Sequence, residues 1–310
     1  MRIGIASAQL GRLAEPAAVK ALARAAETVG YSTLWVLDRL PAPVEPRDGY
    51  GGLDGVPLPP EQERSLDPFA VLATAAAVTE RVRIGTSVLV APWYPPVVLA
   101  RMLTSLDVLS DGRLIAGLGT GWSRDEYDAV NADIRRRGRD LDEILDVLDA
   151  SWSSAEVVGH TGVLARLAPS KNLLRPVQRP RPPLFLAAYT PAAMDRVARR
   201  ADGWMPAGFP AEAIGAVWNG IRDAAAGYGR DVDRMEMIVR ANIHVTDGPV
   251  DGDRVSYLGS LDQVIDDVVA TRNAGAAEVI LHVHGDPGLD EALDVCARIA
   301  EAVGMPSFTG

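Results

Sequence analysis

The stretch RLIAGLGTGWSRDEY, residues 113–127, is the part of the chain that decides the fold. An apolar run is followed at once by glycines at every second position, namely Gly117, Gly119 and Gly121. A dinucleotide-binding loop would have the spacing G-x-G-x-x-G and an acidic residue about 20 positions further on, near the end of a second strand. The spacing here differs, and no second strand follows directly. We therefore interpret residues 113–119 as a buried strand, whose glycines either let a flat ligand approach the backbone or only pack a narrow barrel.

Seven further apolar runs indicate strands, and Ala-rich helical patterns separate them. The eight predicted strands are RIGIAS (2–7), TLWVLD (33–38), VRIGTSVLV (82–90), RLIAGLG (113–119), PLFLAA (183–188), DGWMP (202–206), MEMIVRANIHV (235–245) and AEVILHV (277–283). Strands that are apolar on both faces and alternate with helices indicate a parallel sheet covered by helices. We predict a single α/β domain over residues 1–310, a (β/α)8 TIM-type barrel. An open doubly wound sheet is the alternative topology.

Two segments interrupt the alternation of strands and helices. Residues 40–64 are rich in Pro and Gly, and residues 153–182 contain two glycines and several prolines. Both are too long to be simple connections in a barrel. Each is predicted to be either a lid over the C-terminal ends of the strands or a disordered loop.

Charge and composition limit the partners of this protein. The formal net charge is −10 and the isoelectric point is about 5.0, which opposes binding to nucleic acid or to an anionic membrane. Cys296 is the only cysteine, so neither an intrachain disulfide nor a cysteine-based metal site is expected. No apolar stretch approaches the ~18 residues that span a bilayer, and no export signal is recognised. We expect a cytoplasmic protein with a small-molecule substrate; its oligomeric state is left open, with a homodimer as the assembly considered.

Polar residues mark the last two predicted strands. Arg240, Asn242 and His244 alternate with apolar residues, so all three lie on one face of the seventh strand. In a barrel this face can be the lumen, with His244 nearest the mouth and able to exchange a proton near neutral pH. His282 and His284 share a face at the end of the eighth strand in the same way.

A second candidate feature is the turn in FLAAYTPAAM, residues 185–194. Thr190 is a predicted N-cap and Pro191 the first helical residue, so the backbone amides around Ala188, Tyr189 and Thr190 are free at a helix N-terminus. Such a terminus attracts an anion. An ordinary capped strand-to-helix turn is the alternative interpretation.

Four segments together resemble the bacterial luciferase-like monooxygenase superfamily, and especially its branch that uses the deazaflavin coenzyme F420. They are YSTLWVLDR (31–39), RIGTSVLVAPWYPPVVLARMLTSLDVLSDGRLIAGLGTGWSRDEY (83–127), RPVQRPRPPLFLAAYTPAAMDRVARRADGW (175–204) and GAAEVILHV (275–283). The resemblance implies a TIM-type barrel that binds a flat tricyclic cofactor at the C-terminal ends of its strands.

The resemblance also implies roles for individual residues. Asp38 corresponds to the acid that faces the ring system at the end of the second strand. Three further groups of cofactor contacts are implied: Thr86, Ser87 and Val88 behind the middle ring, Thr120 and Gly121 beside it, and Ala188, Tyr189 and Thr190 at the phosphate. A non-proline cis peptide bond is predicted between Ser87 and Val88.

The chain departs from the family pattern at two positions. Many deazaflavin enzymes have His directly after the second-strand Asp, where this chain has Arg39, which stays charged and is a poor proton donor. Trp122 stands where the sugar-phosphate dehydrogenases have Glu, so that activity is not expected. With Trp93 and Tyr94, Trp122 predicts an aromatic, largely apolar substrate pocket, although packing is an alternative role for at least one of them.

These observations lead to one leading function and two alternatives. The leading prediction is an oxidoreductase that transfers a hydride between bound coenzyme F420 and an apolar organic substrate. Its catalytic candidates are Asp38, Arg39 and His244, with Arg240 and Asn242 at the substrate. Reduced FMN in place of F420 would make the protein a monooxygenase. A metal-dependent hydrolase that uses the strand-end histidines with Asp38 is the distant alternative.

Overall fold

The computed structural model describes residues 1–304, in which the apolar runs form a parallel sheet with helices outside it. The strands are β1 Arg2–Ala6, β2 Thr33–Val36, β3 Arg83–Thr86, β4 Leu89–Val90, β5 Leu114–Gly119, β6 Val157–Thr161, β7 Arg166–Lys171, β8 Leu184–Leu186, β9 Gly203–Trp204, β10 Glu236–Val245, β11 Leu258–Gly259 and β12 Glu278–Val283. The helices are α1 Pro16–Val29, α2 Pro68–Ala77, α3 Pro96–Leu109, α4 Arg124–Ala129, α5 Arg137–Trp152, α6 Pro191–Arg200, α7 Ala211–Gly227, α8 Leu261–Asn273 and α9 Leu289–Ala302.

The parallel sheet closes into a barrel. Its strands follow the order β1, β2, β3, β5, β8, β9, β10 and β12, and β12 pairs with β1 from Arg2–Glu278 to Ile5–Leu281. The short strand β4 continues the third barrel strand and pairs with β5. The predicted eight-stranded TIM-type barrel is confirmed, and the closing pair excludes the open sheet.

Alternation along each strand separates the barrel interior from the outer layer. The interior holds a cluster of large side chains: Trp35, Ile115, Phe185, Met205, Ile238 and Ile280. On β5, Ile115 belongs to this cluster, whereas Leu114, Ala116 and Leu118 pack in the larger cluster that includes the helices. A strand buried on both faces must be apolar throughout, which explains the continuous run in the sequence.

Local signals set the limits of several helices. Pro16 is the first residue of α1, where its missing N–H costs no helical hydrogen bond. Gly30 ends the helix with φ 92°, a left-handed conformation that suits glycine. At α8, Ser260 and Gln263 form a reciprocal capping box.

The glycines of the opening stretch let the third and fourth barrel strands pack closely. A methyl group on Gly117 would clash with the carbonyl oxygen of Thr86, and one on Gly119 would lie 2.6 Å from Cγ2 of Val88. Gly121 adopts φ 59°, which a larger side chain rarely takes. The space beside Gly117 and Gly119 is therefore filled by protein. This favours the packing alternative for these two glycines, while a cofactor contact at Gly121 stays a prediction.

The two inserted segments lie at opposite ends of the barrel. Residues 40–64 follow β2, so they cover the C-terminal ends of the strands, as predicted for a lid. Residues 153–182 follow α5 and lead into β8, which places them at the N-terminal ends. This second segment is neither a lid nor an irregular loop, because its strands β6 and β7 form an antiparallel hairpin. The amides of Val163, Leu164 and Ala165 in its turn donate to the carboxylate of Glu143 on α5.

No helix within residues 1–304 has the length and apolar content that crossing a lipid bilayer requires.

Candidate active site

Asp38 lies directly beyond β2 at the mouth of the barrel. The backbone N–H of Val90 donates to its Oδ2 at 3.0 Å, and the hydroxyl of Tyr94 donates at 2.9 Å. The residue is only 6% exposed, and this burial raises the pKa of its carboxyl to about 7 in spite of the two donors. Asp38 can therefore hold or release a proton near neutral pH.

Arg240 extends from β10 across the mouth of the barrel. Its Nη1 donates to the carbonyl oxygen of Ser87 at 3.0 Å, its Nε donates to Oδ1 of Asn242 at 2.9 Å, and its Nη2 lies 2.6 Å from Nδ1 of His282. Within the described residues, all of its hydrogen-bond partners are neutral groups. The mouth therefore carries a partly buried positive charge that no carboxylate neutralises, which favours a ligand with negative or partly negative oxygen atoms.

A small cavity opens at this point. Trp35 and Ile280 supply apolar surface, and Ser87, Arg240 and His282 supply polar atoms. This combination of apolar walls and a few fixed polar groups is typical of small-molecule sites.

A second cavity lies at β1, β12, α1 and α9. Aliphatic side chains such as Leu22 and Leu293 dominate its lining, together with Cys296. Burial raises the pKa of the Cys296 thiol to about 12, so this group is not a nucleophile at neutral pH. Ser7, Glu61, His282 and Asp286 also line this cavity, and Ser7 and His282 border both cavities.

Three histidines meet at the ends of β10 and β12. The His284 ring stacks on His244 with 4.6 Å between centroids and lies 4.3 Å from the His282 ring. Nδ1 of His284 is 2.7 Å from Oε1 of Glu61, a buried residue of the inserted segment 40–64. Burial lowers the pKa of all three imidazoles, so they are neutral at pH 7.

Arg39 takes part in a buried ion pair. Its Nη1 lies 3.2 Å from Oε2 of Glu126, whose other oxygen accepts the N–H of Leu40 at 3.0 Å. The guanidinium also lies over the ring of Trp122, 5.0 Å from its centroid, and Tyr50 packs edge-on against the same ring. Arg39 thus fixes the first residues of the inserted segment and the aromatic wall beside them.

The turn before α6 has the predicted cap. Oγ1 of Thr190 accepts from the N–H of Ala193 at 3.3 Å. Ala188 is buried, and its carbonyl accepts from Nε1 of Trp204 at 3.1 Å. Tyr189 is 57% exposed and stacks on Phe209 with 5.5 Å between centroids. A rigid, partly open helix N-terminus results, and anion binding there stays a prediction.

Comparison with known proteins identifies the family to which this chain belongs. Residues 2–294 match the luciferase-like monooxygenase family. The chain belongs to this family. This membership confirms the family resemblance inferred from the sequence.

An uncharacterised protein of Mycobacterium tuberculosis is 35% identical to this luciferase-like chain over 186 residues, which are 60% of this chain and 66% of that protein. The chain thus spans just under two thirds of that relative's length.

Solved structures share the fold of this luciferase-like enzyme. Monooxygenase RslO1 from Streptomyces bottropensis is 22% identical, with a TM-score of 0.77 and 98% of each chain covered. An F420-dependent secondary alcohol dehydrogenase is 17% identical, with a TM-score of 0.77 and coverage of 97% of this chain and 98% of that one. A riboflavin lyase with modified FMN is 15% identical, with a TM-score of 0.75 and coverage of 99% and 92%.

The third-strand segment of this luciferase-like barrel has the predicted backbone. The peptide bond between Ser87 and Val88 is cis, which confirms that prediction. Thr86 is fully buried, and its hydroxyl both donates to the carbonyl of Gly117 and accepts from its N–H. The Thr86 side chain therefore joins β3 to β5, and a cofactor contact by this residue stays a prediction. The carbonyl of Thr120 accepts from the hydroxyl of Tyr127 at 2.6 Å.

The three aromatic residues that were predicted to contact the substrate have different roles in the structure. Trp93 packs in a buried cluster with Val90 and Tyr127, so it stabilises the structure and does not line an open pocket. Tyr94 orients Asp38 through its hydroxyl. Trp122, like Tyr94, is partly exposed, and its ring lies between Arg39 and Tyr50.

The ligand set required by the hydrolase alternative does not assemble. Nδ1 of His282 faces the Arg240 cation and Nδ1 of His284 faces Glu61, while Asp38 is held by Val90 and Tyr94. Among residues 1–304, no three His, Cys, Asp or Glu side chains are grouped so that they could hold a metal ion. A cation would also be repelled by Arg240 at this place.

Two residues of the site were missed by the sequence interpretation. Glu61 lies in the irregular segment 40–64, and no spacing rule connects it to His284, which is 223 positions away. Glu126 was not among the predicted site residues, but it is buried against Arg39. Both depend on tertiary contacts that leave no local pattern.

Proposed function

We propose that this luciferase-like enzyme binds the deazaflavin coenzyme F420 at the mouth of its barrel and transfers a hydride between it and a largely apolar organic substrate. The observation that carries the proposal is the Arg240 guanidinium, a cation held in the mouth by neutral partners only. The edge of a flavin-type ring carries carbonyl oxygens and gains negative charge on reduction. A fixed cation stabilises that charge best in a partly buried site.

The residues around Arg240 fit such a ring. Apolar residues lie beneath Arg240, since Trp35 and Ile280 belong to the packed interior of the barrel, and the carbonyl of Ser87 accepts from Arg240. Oγ of Ser7, which lines the same cavity, is buried and has no hydrogen-bond partner within the described residues. A buried hydroxyl without a partner is costly, which supports a ligand group at this position.

Asp38 is proposed to hold the exchangeable proton of the reaction. Its pKa of about 7 lets it act as acid or base at neutral pH, and the Tyr94 hydroxyl with the Val90 amide fixes its orientation. Arg39 is proposed as a fixed charge that shapes the wall, since its guanidinium does not exchange protons at neutral pH. Trp122 and Tyr50 supply the apolar wall for substrate.

When bound, the deazaflavin supplies a ring carbon that gives or takes a hydride without activating oxygen readily. The amides of residues 188–190 at the N-terminus of α6 are proposed to hold its phosphate, because free N–H groups and the helix dipole favour an anion there. Residues 1–310 are proposed to act as one domain, and a homodimer is the proposed assembly to be tested by light scattering.

Binding of reduced FMN is the second candidate, because the family contains monooxygenases and a structure of the same fold contains modified FMN. The Arg240 site suits either ring. With FMN the same barrel would catalyse oxygenation, and the apolar wall would serve the same substrate class.

Matched titrations with F420 and FMN, in oxidised and reduced forms and read by fluorescence quenching, test the proposal. F420 is expected to bind at least about tenfold more tightly than FMN, a difference of ~1.4 kcal/mol. Arg240→Gln should weaken F420 binding about tenfold or more. Arg222→Gln, which changes a surface arginine paired with Asp233, is the matched control and should leave binding unchanged. Tighter binding of FMN, or binding of neither ring, would contradict the proposal.

A further inference from the structure

The second cavity lies outside the barrel, between β1, β12, α1 and α9. On β12, Ile280 belongs to the cluster inside the barrel, whereas Leu281 packs in the outer layer with the helices. Ile280 lines the cavity at the mouth, and Leu281 lines the second cavity. Successive side chains of a strand point to opposite faces, so the two cavities lie on opposite sides of the barrel wall. They adjoin at the end of this wall, where they share Ala6, Ser7, Leu10 and His282.

Most of the residues that line the second cavity are apolar. Some of them are almost completely buried, namely Ile5, Leu22, Leu281 and Cys296. Others are only partly buried, namely Leu13, Val283, Ala292 and Leu293. The cavity therefore leads from the surface into the packed layer of the helices and exposes apolar side chains to water. Removal of such surface from water is the usual driving force for binding a small molecule.

The charged groups in this lining are two carboxyl groups, those of Glu61 and Asp286. Burial acts to raise the pKa of Glu61, but the hydrogen bond with His284 and neighbouring amides outweigh it and lower the pKa, so Glu61 is ionised. His282 is neutral, because burial holds its pKa well below the ordinary value. Arg12 pairs with Asp286 at 3.5 Å, but it is exposed and does not line the cavity. A ligand carboxylate would therefore meet like charge in a partly buried site, whereas a neutral ligand would not.

We propose that this cavity binds a neutral small molecule with a short aliphatic chain, at a site distinct from the cofactor site in the mouth. The apolar lining offers water few hydrogen-bond partners, so an aliphatic chain displaces weakly held water and gains affinity. The carboxylates of Glu61 and Asp286 select against anions of the same size. The proposal goes beyond the proposed function, because it adds a ligand site between the barrel wall and the helices and does not depend on the cofactor.

Cys296 reports on this cavity directly, because it lines the cavity and is the only cysteine of the chain. Protein that is isotopically labelled at the cysteine β-carbon therefore gives a single NMR signal for the label. Titration with hexanamide should move this signal saturably, with a dissociation constant on the order of 1 mM. Hexanoate has nearly the same size and shape but carries a negative charge, and it should bind at least about tenfold more weakly. Absence of a saturable shift with hexanamide, or equal binding of hexanoate, would overturn the proposal.

A variant with a filled cavity provides a second test. Ala292→Leu, on α9, places a larger side chain in the lining and should weaken hexanamide binding at least about tenfold. Ala297→Leu is the matched control, because Ala297 lies on the same helix but is exposed and outside the lining, and this variant should bind hexanamide like the wild type. Urea unfolding shows whether Ala292→Leu is folded, and the comparison of the two probes in the wild type depends on neither variant. Unchanged hexanamide binding by folded Ala292→Leu would contradict the proposal.

Fluorescence quenching with F420 on the same samples separates this site from the mouth. Hexanamide should still move the Cys296 signal when F420 is bound, because the two ligands occupy different cavities. Mutual exclusion of hexanamide and F420 would place the probe in the mouth and overturn the proposal. If F420 does not bind at all, the proposed function fails, while the Cys296 titration still decides whether the second cavity is a ligand site.

Discussion

The buried carboxyl of Asp38 affects both the proposed proton exchange and the stability of the folded protein. Burial raises its pKa from 3.8 to about 7, while the unfolded chain has the ordinary value. Between these two values the folded protein keeps a proton that the unfolded chain has lost. The associated stability is complete below the ordinary pKa and is lost as the pH rises towards 7. The site thus becomes less stable in the pH range in which Asp38 can exchange protons.

Asp38→Asn should remove this dependence, because the amide has no charge to bury. Between about pH 5 and about pH 8, the free energy of unfolding of the cofactor-free wild type should fall by ~2–3 kcal/mol relative to the variant. Urea unfolding at both pH values measures the difference. Asp48→Asn is the matched control, since the hydrogen bond from Arg124 lowers the pKa of Asp48 and its stabilisation is lost only at lower pH. Between about pH 5 and about pH 8 this variant should therefore show the same change as the wild type. Parallel behaviour of Asp38→Asn and wild type would contradict the expectation.

Asp38 could be proposed from the sequence because the segment that contains it resembles the family, whose second strand ends in an acid. The alternation on β10 likewise predicted that Arg240, Asn242 and His244 share a face. Glu61 could not be found in this way, because its significance depends on a contact with a distant strand. Trp93 was predicted to contact the substrate, but aromatic residues near a site can either line a pocket or pack in the core. Only the burial of the side chain in the structure distinguishes these two roles.

At the scale of elements, the fit between β5 and the third barrel strand explains the glycine spacing that opened the sequence interpretation. Every second residue of β5 faces the interior, and β3 with β4 passes so close that Gly117 and Gly119 leave no room for a side chain. The hydroxyl of Thr86 then bonds to both the N–H and the carbonyl of Gly117. The sequence predicted a strand here, but the reason for its glycines lies in a neighbouring strand.

Gly117→Ala should destabilise the barrel by ~3 kcal/mol or more, because the added methyl group must push Thr86 away and break the hydrogen bonds that join the two strands. Gly220→Ala is the control of the same chemical size. Gly220 lies inside α7 with open space around it, so alanine should stabilise the protein by ~0.5–1 kcal/mol through helix propensity. Thermal and urea unfolding of both variants gives the comparison. If Gly117→Ala left the free energy of unfolding unchanged, the two strands would separate more easily than their packing indicates.

For the whole molecule, alternation of strands and helices was enough to predict the closed barrel, because each β/α unit repeats the same local pattern. The hairpin of β6 and β7 was not predicted. Its strands are short and mostly exposed, so they lack the apolar alternation that marks a buried strand. Position in the chain order, by contrast, predicts that residues 40–64 cover the mouth, since they follow a strand and precede a helix.

Residues 40–64, which cover the mouth, are held by buried ion pairs at their ends and by exposed ion pairs in their middle. Their ends are held by the Arg39–Glu126 pair and the Glu61–His284 pair, which are buried, whereas their middle is held by Arg47 and Asp48 through exposed ion pairs with α4. Salt screens exposed pairs strongly and buried pairs little.

Raising the salt concentration from about 0.05 M to about 0.5 M should therefore speed amide hydrogen exchange in residues 44–56 by roughly two- to fivefold, while residues near both ends stay protected. Arg47→Gln should produce the faster exchange already at low salt. Arg234→Gln, at an exposed arginine outside the segment, should not. If amides at both ends of residues 40–64 also exchanged faster at high salt, the whole segment would open as one unit. The buried ion pairs would then not anchor its ends.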